Sequence, residues 1–199
     1  MDEIIIIECV IRNQTNELRM LLDSKADPNI KTPRSKLTPL HYAALHSKNE
    51  CIQLLLQYGA DIHARNTFGE TPLFNSVESY ILSTSQLLIE TKSDVNAICT
   101  DGKSILDYAA HCGDYQRAVS LVQMLLDAGA KPTPQNIDHP KIVVSYRRLR
   151  RTKQALITFM GIMKKRLGVC KDMRTLMGTL VYSTRYQEVW NTREIKRMK

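Results

Sequence analysis

Thr38-Pro39-Leu40-His41-Tyr42-Ala43-Ala44 opens a pattern that returns as Thr71-Pro72-Leu73-Phe74 and again as Ser104-Ile105-Leu106-Asp107, starting at positions 38, 71 and 104, two equal steps of 33 residues. A fixed period of that length marks a repeat architecture, in which each unit is one supersecondary element that buries its apolar face only by stacking on its neighbours. Each position has a mechanical reason. Thr38 can cap a helix with its hydroxyl, and Pro39 takes the first helical position, where no N–H partner is needed. Leu40, Ala43 and Ala44 give that helix a close-packing face, and Cys51, Ile52, Leu54, Leu55 and Leu56 supply a second helix. Gly59 offers the left-handed residue that ends it, ahead of Ala60-Asp61. His41 reads as a structural hydrogen-bonding residue of the turn, because no second ligand lies at metal spacing.

Working outward gives four units, about 2–31, 32–66, 67–100 and 101–133, within a repeat domain of residues 1–133. Unit three departs from the pattern: Phe74 replaces the histidine, Asn75 and Ser76 stand where small apolar residues are favoured, and Lys92-Ser93 stands where unit two has Gly59-Ala60. A less regular, less stable unit is expected there. Unit four is longer, since Asp61 to Asp94 is 33 residues but Asp94 to Lys131 is 37, and the extra residues are expected around Gly113 to Val119. Unit one lacks a preceding neighbour, so Asp2, Glu3, Glu8 and Arg12 are expected to form its polar outer cap. The fold class expected is all-α, a solenoid of helix-turn-helix units with a helical C-terminal extension.

The 199 residues, 43% of them apolar, suffice for a packed core, and the net charge of +8 is unevenly divided. Residues 1–140 hold 12 Lys+Arg against 17 Asp+Glu, a net of −5, whereas residues 141–199 hold 16 against 3, a net of +13. Five scattered cysteines, with no Cys-x-x-Cys, signal neither a disulfide framework nor a zinc site. No cofactor or metal is expected. Ile4-Ile5-Ile6-Ile7 is too short an apolar run to span a bilayer or to form a signal-peptide core, so the expected location is cytoplasmic or nuclear.

Across residues 2–133 the sequence resembles the ankyrin repeat family, carried by Thr38 to Ala44, by Leu54-Leu55-Leu56-Gln57-Tyr58-Gly59-Ala60-Asp61 and by the 33-residue register. The resemblance implies a concave groove, lined by the turn fingertips and the first helix of each pair, that grips a protein partner. By that resemblance the binding face draws on Arg34, Ser35, Lys36 and Tyr42, on Thr67, Phe68, Glu70 and Phe74, and on Cys99, Thr100, Lys103 and Asp107. For Phe68 and Tyr42 two readings stay open, an exposed anchor or a buried ring. Some family members resemble substrates of an asparaginyl hydroxylase when a leucine stands eight residues before a turn asparagine, a spacing that Leu88 and Asn96 match. The alternative for Asn96 is a structural turn residue.

Residues 134–140, with Pro134 and Pro140, read as a linker, and 141–199 as a basic helical module. Its apolar spacing predicts helices over about 141–166 and 171–184, with Trp190 beyond, and their apolar faces need a surface to dock on. Arg147, Arg148, Arg150, Arg151 and Lys153, then Lys164, Lys165 and Arg166, form basic blocks. They read as a solvated face, as a dock for an acidic protein, or as a contact to nucleic acid or an anionic membrane. The tail also loosely resembles the helical modules ending many ankyrin proteins of large DNA viruses and intracellular bacteria, some of them like degenerate F-boxes. That resemblance implies a ubiquitin-ligase component as a partner, through Leu156 to Met163, Val169-Cys170 and Leu176 to Trp190, although the Leu-Pro that opens an F-box is missing. It would also place the protein in a host cell.

No nucleophile and base, phosphate loop or metal cluster is evident, and His111 beside Cys112 is no dyad, because adjacent helical residues point about 100° apart. The expected function is a monomeric, non-catalytic protein-interaction module, a scaffold or adaptor.

Overall fold

The computed structural model describes residues 2–111, 113–133, 136, 138–145 and 151. Cys112, the tail segments 146–150 and 152–199, and with them every expected tail-site residue except Arg151, lie outside the described residues. Among the described residues the named helices are α1 (Asp2–Ile11), α2 (Thr15–Asp23), α3 (Pro39–Leu45), α4 (Asn49–Gln57), α5 (Pro72–Glu78), α6 (Leu82–Glu90), α7 (Ile105–Ala110) and α8 (Tyr115–Asp127). Among the described residues no strand forms beyond the isolated bridge between Ile98 and Ser104. The chain is all-α.

Helices α1, α3, α5 and α7 pack side by side in chain order as one layer, with α2 on α4 and α6 on α8 behind them. The core lies between the layers: Leu40, Leu73 and Leu106, each one period apart, are essentially inaccessible, as are Leu55, Leu88 and Leu121 on the second helices. Such short helices are marginal alone in water and hold their form because this shared core fixes them. Their starts follow the register, with Pro39, Pro72 and Ile105 each opening a helix one residue after Thr38, Thr71 and Ser104. The lengthening of unit four lies in a helix. Tyr115 begins α8 33 residues after Leu82 begins α6, yet α8 has 13 residues where α6 has 9. Asp114 caps it, its carboxylate accepting from the N–H groups of Gln116 and Arg117.

On the outer unit, Glu8 and Arg12 pair on the exposed face of α1. At the other end, the stretch read as a linker is tied in at Asn136, whose buried side chain donates to Ser104 Oγ at 3.0 Å and accepts from the Thr133 N–H at 2.8 Å. Pro140 opens a helical segment, 140–145, in which Ile142 joins the core and Lys141 Nζ donates to the Ala110 carbonyl. No helix among the described residues is long and apolar enough to cross a membrane.

Candidate functional site

Between one helix pair and the next the chain turns out into a finger, and the finger of unit three is built around Asn66. Its Oδ1 accepts from the N–H groups of Phe68 at 2.8 Å and Glu70 at 3.0 Å, and its Nδ2 donates to Glu70 Oε2 at 2.8 Å. Gly69 turns the tip with φ +72°, and a Cβ there would meet Thr100 at 3.1 Å, so only glycine lets the next finger come this close. The fingers are bolted together in sequence. The Ser35 carbonyl accepts from the N–H and hydroxyl of Thr67, and one unit later the Phe68 carbonyl accepts from the N–H and hydroxyl of Thr100. Phe68 thus has a backbone fixed on both sides and a ring that is 61% exposed.

Arg65 Nη1 donates to the carbonyls of Gly69 and Ile98, both at 2.8 Å, and so ties the finger that carries Phe68 to the one that carries the 47% exposed Ile98. The groove floor follows the same period: Tyr42, Asn75 and Tyr108 occupy one row. Tyr108 donates its hydroxyl to Glu70 Oε1 at 2.6 Å, and burial, then the Glu70 carboxylate, pushes its pKa up, so it stays a neutral donor. Its ring meets Phe74 edge-on, centroids 5.1 Å apart.

Arg34, Lys36, Phe68 and Lys103 of the expected set are exposed at the fingertips, Tyr42 is half-buried on the floor, and Glu70 is half-buried with both carboxylate oxygens engaged within the chain. Three expectations are corrected, those for Phe74, Asp107 and Cys99. Phe74 is fully buried against Tyr108 and has no surface for a partner. Asp107 is buried, its Oδ2 accepting from the N–H and hydroxyl of Ser104 at 2.7 Å each, so it caps α7. Cys99, expected on the same face, is buried as well, while Thr67 and Thr100 are exposed and Ser35 is half-buried. Arg65, Ile98 and Tyr108 went unnoticed in the sequence. Arg65 and Ile98 are one period apart, so the register that found the helix starts would have found both.

Asn96 is a brace between units. Its Oδ1 accepts from the Lys131 N–H at 2.8 Å and its Nδ2 donates to the Gly129 carbonyl, the same pair of bonds that Asn29 makes to Asp61 and Gly59. Leu88 is fully buried. Of the basic-block residues only Arg151 is described, helical and exposed; Arg147, Arg148, Arg150, Lys153, Lys164, Lys165 and Arg166 lie outside the described residues. Burial pushes the Cys51 thiol up to about 11 and raises that of Cys9, which leaves both as inert core thiols. No cluster of metal-ligating side chains occurs among the described residues.

A family model for ankyrin repeats in three copies matches residues 2–66 and 58–136. A putative ankyrin repeat protein of fowlpox virus is 32% identical over 88 residues, 42% of this chain and 15% of the relative. The mouse ankyrin repeat and SOCS box protein 6 is 35% identical over 102 residues, 50% of this chain and 24% of the relative. The human B-cell lymphoma 3 protein is 37% identical over 138 residues, 66% of this chain and 30% of the relative. The chain therefore spans less than a third of the length of these relatives. With the model covering well over half the chain, and the stacked pairs and bolted fingers repeating in its register, the chain belongs to the ankyrin repeat family.

Proposed function

We propose that this chain is a non-catalytic, intracellular protein-binding module that holds a segment of its partner along the fingertips and the Tyr42–Tyr108 floor. The observation that carries this reading is Phe68. A ring left 61% exposed on a rigid finger is already ordered for contact, so covering it gains apolar burial with little further loss of conformational freedom. Arg34, Lys36, Tyr42, Glu70 and Lys103 would complete the face, with Glu70 acting through Tyr108 and Asn66 rather than by direct contact. The test is affinity purification of the full chain from cell lysate with quantitative mass spectrometry, beside Phe68→Ala and Tyr42→Ala. A partner held through this face drops at least tenfold in both variants, which keep their helical spectrum. Undiminished capture by both would move binding elsewhere.

A second reading, in which residues 141–199 recruit a ubiquitin-ligase component while the repeats select its substrate, is supported by a relative named for both ankyrin repeats and a SOCS box. Recovery of ligase subunits by the full chain, lost on removal of residues 141–199, is its expected outcome. Recovery of none would end it.

A further inference from the structure

The fingertip edge runs against the charge of the body that carries it. Residues 1–140 sum to −5, yet the outer tips of the fingers, residues 33–36, 65–70 and 100–103, present Arg34, Lys36, Arg65 and Lys103 against Asp101 and Glu70. Glu70 has both oxygens occupied by Tyr108 and Asn66, which leaves Asp101 as the exposed carboxylate of the tips among the described residues. The side chains of Arg34, Lys36 and Lys103 make no ion pair among the described residues, where the pairs formed are Arg12 with Glu8 and Arg117 with Asp114. Cations are thus collected on one edge and left unneutralised there, while the carboxylates Glu17, Glu50, Asp61 and Glu90 lie exposed on the second helices and the closing turns.

The order along the edge is as telling as the sign. The corresponding tip positions, one period apart, are Ser35, Phe68 and Asp101, so the apolar side chain stands in the middle finger. Arg34 and Lys36 stand in the finger before it and Lys103 in the finger after it. Arg65, fixed by the Gly69 and Ile98 carbonyls, joins the two neighbouring fingers that carry the exposed Phe68 and Ile98.

We infer that the partner segment is an extended acidic peptide whose carboxylates lie on Arg34, Lys36 and Lys103 on either side of an apolar residue seated on Phe68 and Ile98. This rests on the binding reading above and names the chemistry of its ligand. Complementary charge selects such a segment over neutral or basic ones and speeds its encounter, while the central ring supplies the anchor. A nucleic acid strand fits the edge less well, because of the three tip positions Ser35, Phe68 and Asp101 only Phe68 carries a ring on which a base could stack.

Fluorescence anisotropy on the full chain decides the matter, with a labelled twelve-residue probe that places Leu-Phe between two runs of Glu and Asp. Control probes are the same peptide with Lys for every acid, a scramble with Leu-Phe at one end, and a single-stranded DNA of the same length. The variants are Arg34→Glu with Lys103→Glu, Phe68→Ala, and the tail reversal of Arg147, Arg148, Arg150 and Arg151. The expected result is binding of the acidic probe alone, weakened about tenfold or more by the fingertip reversal and by Phe68→Ala, weakened by added salt, and unchanged by the tail reversal. The inference is overturned by equal binding of the basic probe or the scramble, by loss on tail reversal rather than fingertip reversal, or by DNA competing at the fingertips. It is equally overturned if sedimentation shows a second copy of the chain filling the edge. If the acidic probe fails while a lysate partner is still lost in Phe68→Ala and Tyr42→Ala, the binding reading stands and only the charge assignment falls.

Discussion

Units two and three begin alike, Thr38-Pro39-Leu40 and Thr71-Pro72-Leu73, and diverge at the fourth residue. In unit two His41 Nδ1 accepts from the Thr38 N–H at 3.1 Å and from its hydroxyl at 2.8 Å, while Nε2 donates to the Glu70 carbonyl at 3.1 Å. One ring closes the cap and ties its unit to the next finger. In unit three Phe74 has no nitrogen to offer, and the Thr71 hydroxyl is buried without a hydrogen-bond partner among the described residues. What Phe74 gives instead is area, edge-on against Tyr108 of unit four. Two solutions to the same joint therefore coexist, one polar and directional, one apolar. The second leaves debts around it, for Asn75 Oδ1 and Ser93 Oγ are also buried and unpaired in the same unit.

If unit three depends on apolar contact, truncating that contact is its largest single loss. Phe74→Ala should cost about 3–5 kcal/mol in equilibrium urea unfolding, with a cavity left beneath Tyr108. A cost under about 1 kcal/mol would mean that the ring is not what joins units three and four. The hydroxyls separate the two units next. Thr38→Val removes an oxygen that is bonded and should cost about 1–2 kcal/mol, whereas Thr71→Val removes one that is unpaired and should be neutral or stabilising. Equal costs would erase the distinction.

How much of this the sequence disclosed depends on whether the signal is periodic. The helix starts and the lengthened unit four were legible, because a register of 33 is counted directly and any excess must fall between two fixed points. The burial of Phe74 and Asp107 was legible by the same count: both occupy the position of His41, whose reading as a structural residue of the turn extends to them, since a shared register demands a shared direction. The Tyr108–Glu70 bond was not legible, since it joins residues 38 positions apart whose meeting depends on how far each finger leans over the next floor. Which face of the fingers stays charged was hidden for a related reason. Composition gave an acidic body, and only the folded geometry separates the cations of the tips from the carboxylates behind them.

Acid should act on the polar joint and spare the apolar one. Burial holds the His41 pKa below its ordinary value, against the smaller opposing pull of the Glu70 carbonyl. The unfolded chain therefore takes up a proton that the folded chain resists, and the contribution of His41 is intact above about pH 6.5 and is lost as pH falls below it. His139, held low chiefly by burial and then by His111 and Lys141, adds in the same direction. Unfolding free energy should fall by up to about 1.4 kcal/mol per pH unit for each such group below pH 6.5. His41→Phe, which gives unit two the residue of unit three, should flatten the part due to His41. A profile that kept its full slope in His41→Phe would assign the dependence to other groups.

The smallest expected effects come where unit three can be restored to the pattern of its neighbours. Each second helix ends in the same way, with a left-handed residue whose N–H bonds the carbonyl three residues back: Lys25 at φ 67°, Gly59 at 84°, Lys92 at 72° and Gly129 at 95°. A lysine held there carries strain of about 1 kcal/mol that glycine does not, partly offset by the greater freedom of glycine in the unfolded chain. The next position is Ala26, Ala60 and Ala130 in the other units but Ser93 here, with its buried hydroxyl unpaired. This joint also lacks the brace that Asn29 and Asn96 give to their neighbours, because His63 stands in its place and its side chain makes no such bonds among the described residues. Lys92→Gly and Ser93→Ala should each raise stability by about 0.5 kcal/mol, measured by urea unfolding, and Lys25→Gly should do as much for unit one through the first mechanism alone. If Ser93→Ala destabilises, the hydroxyl has a partner in solution, and unit three is held by more than the packing of Phe74.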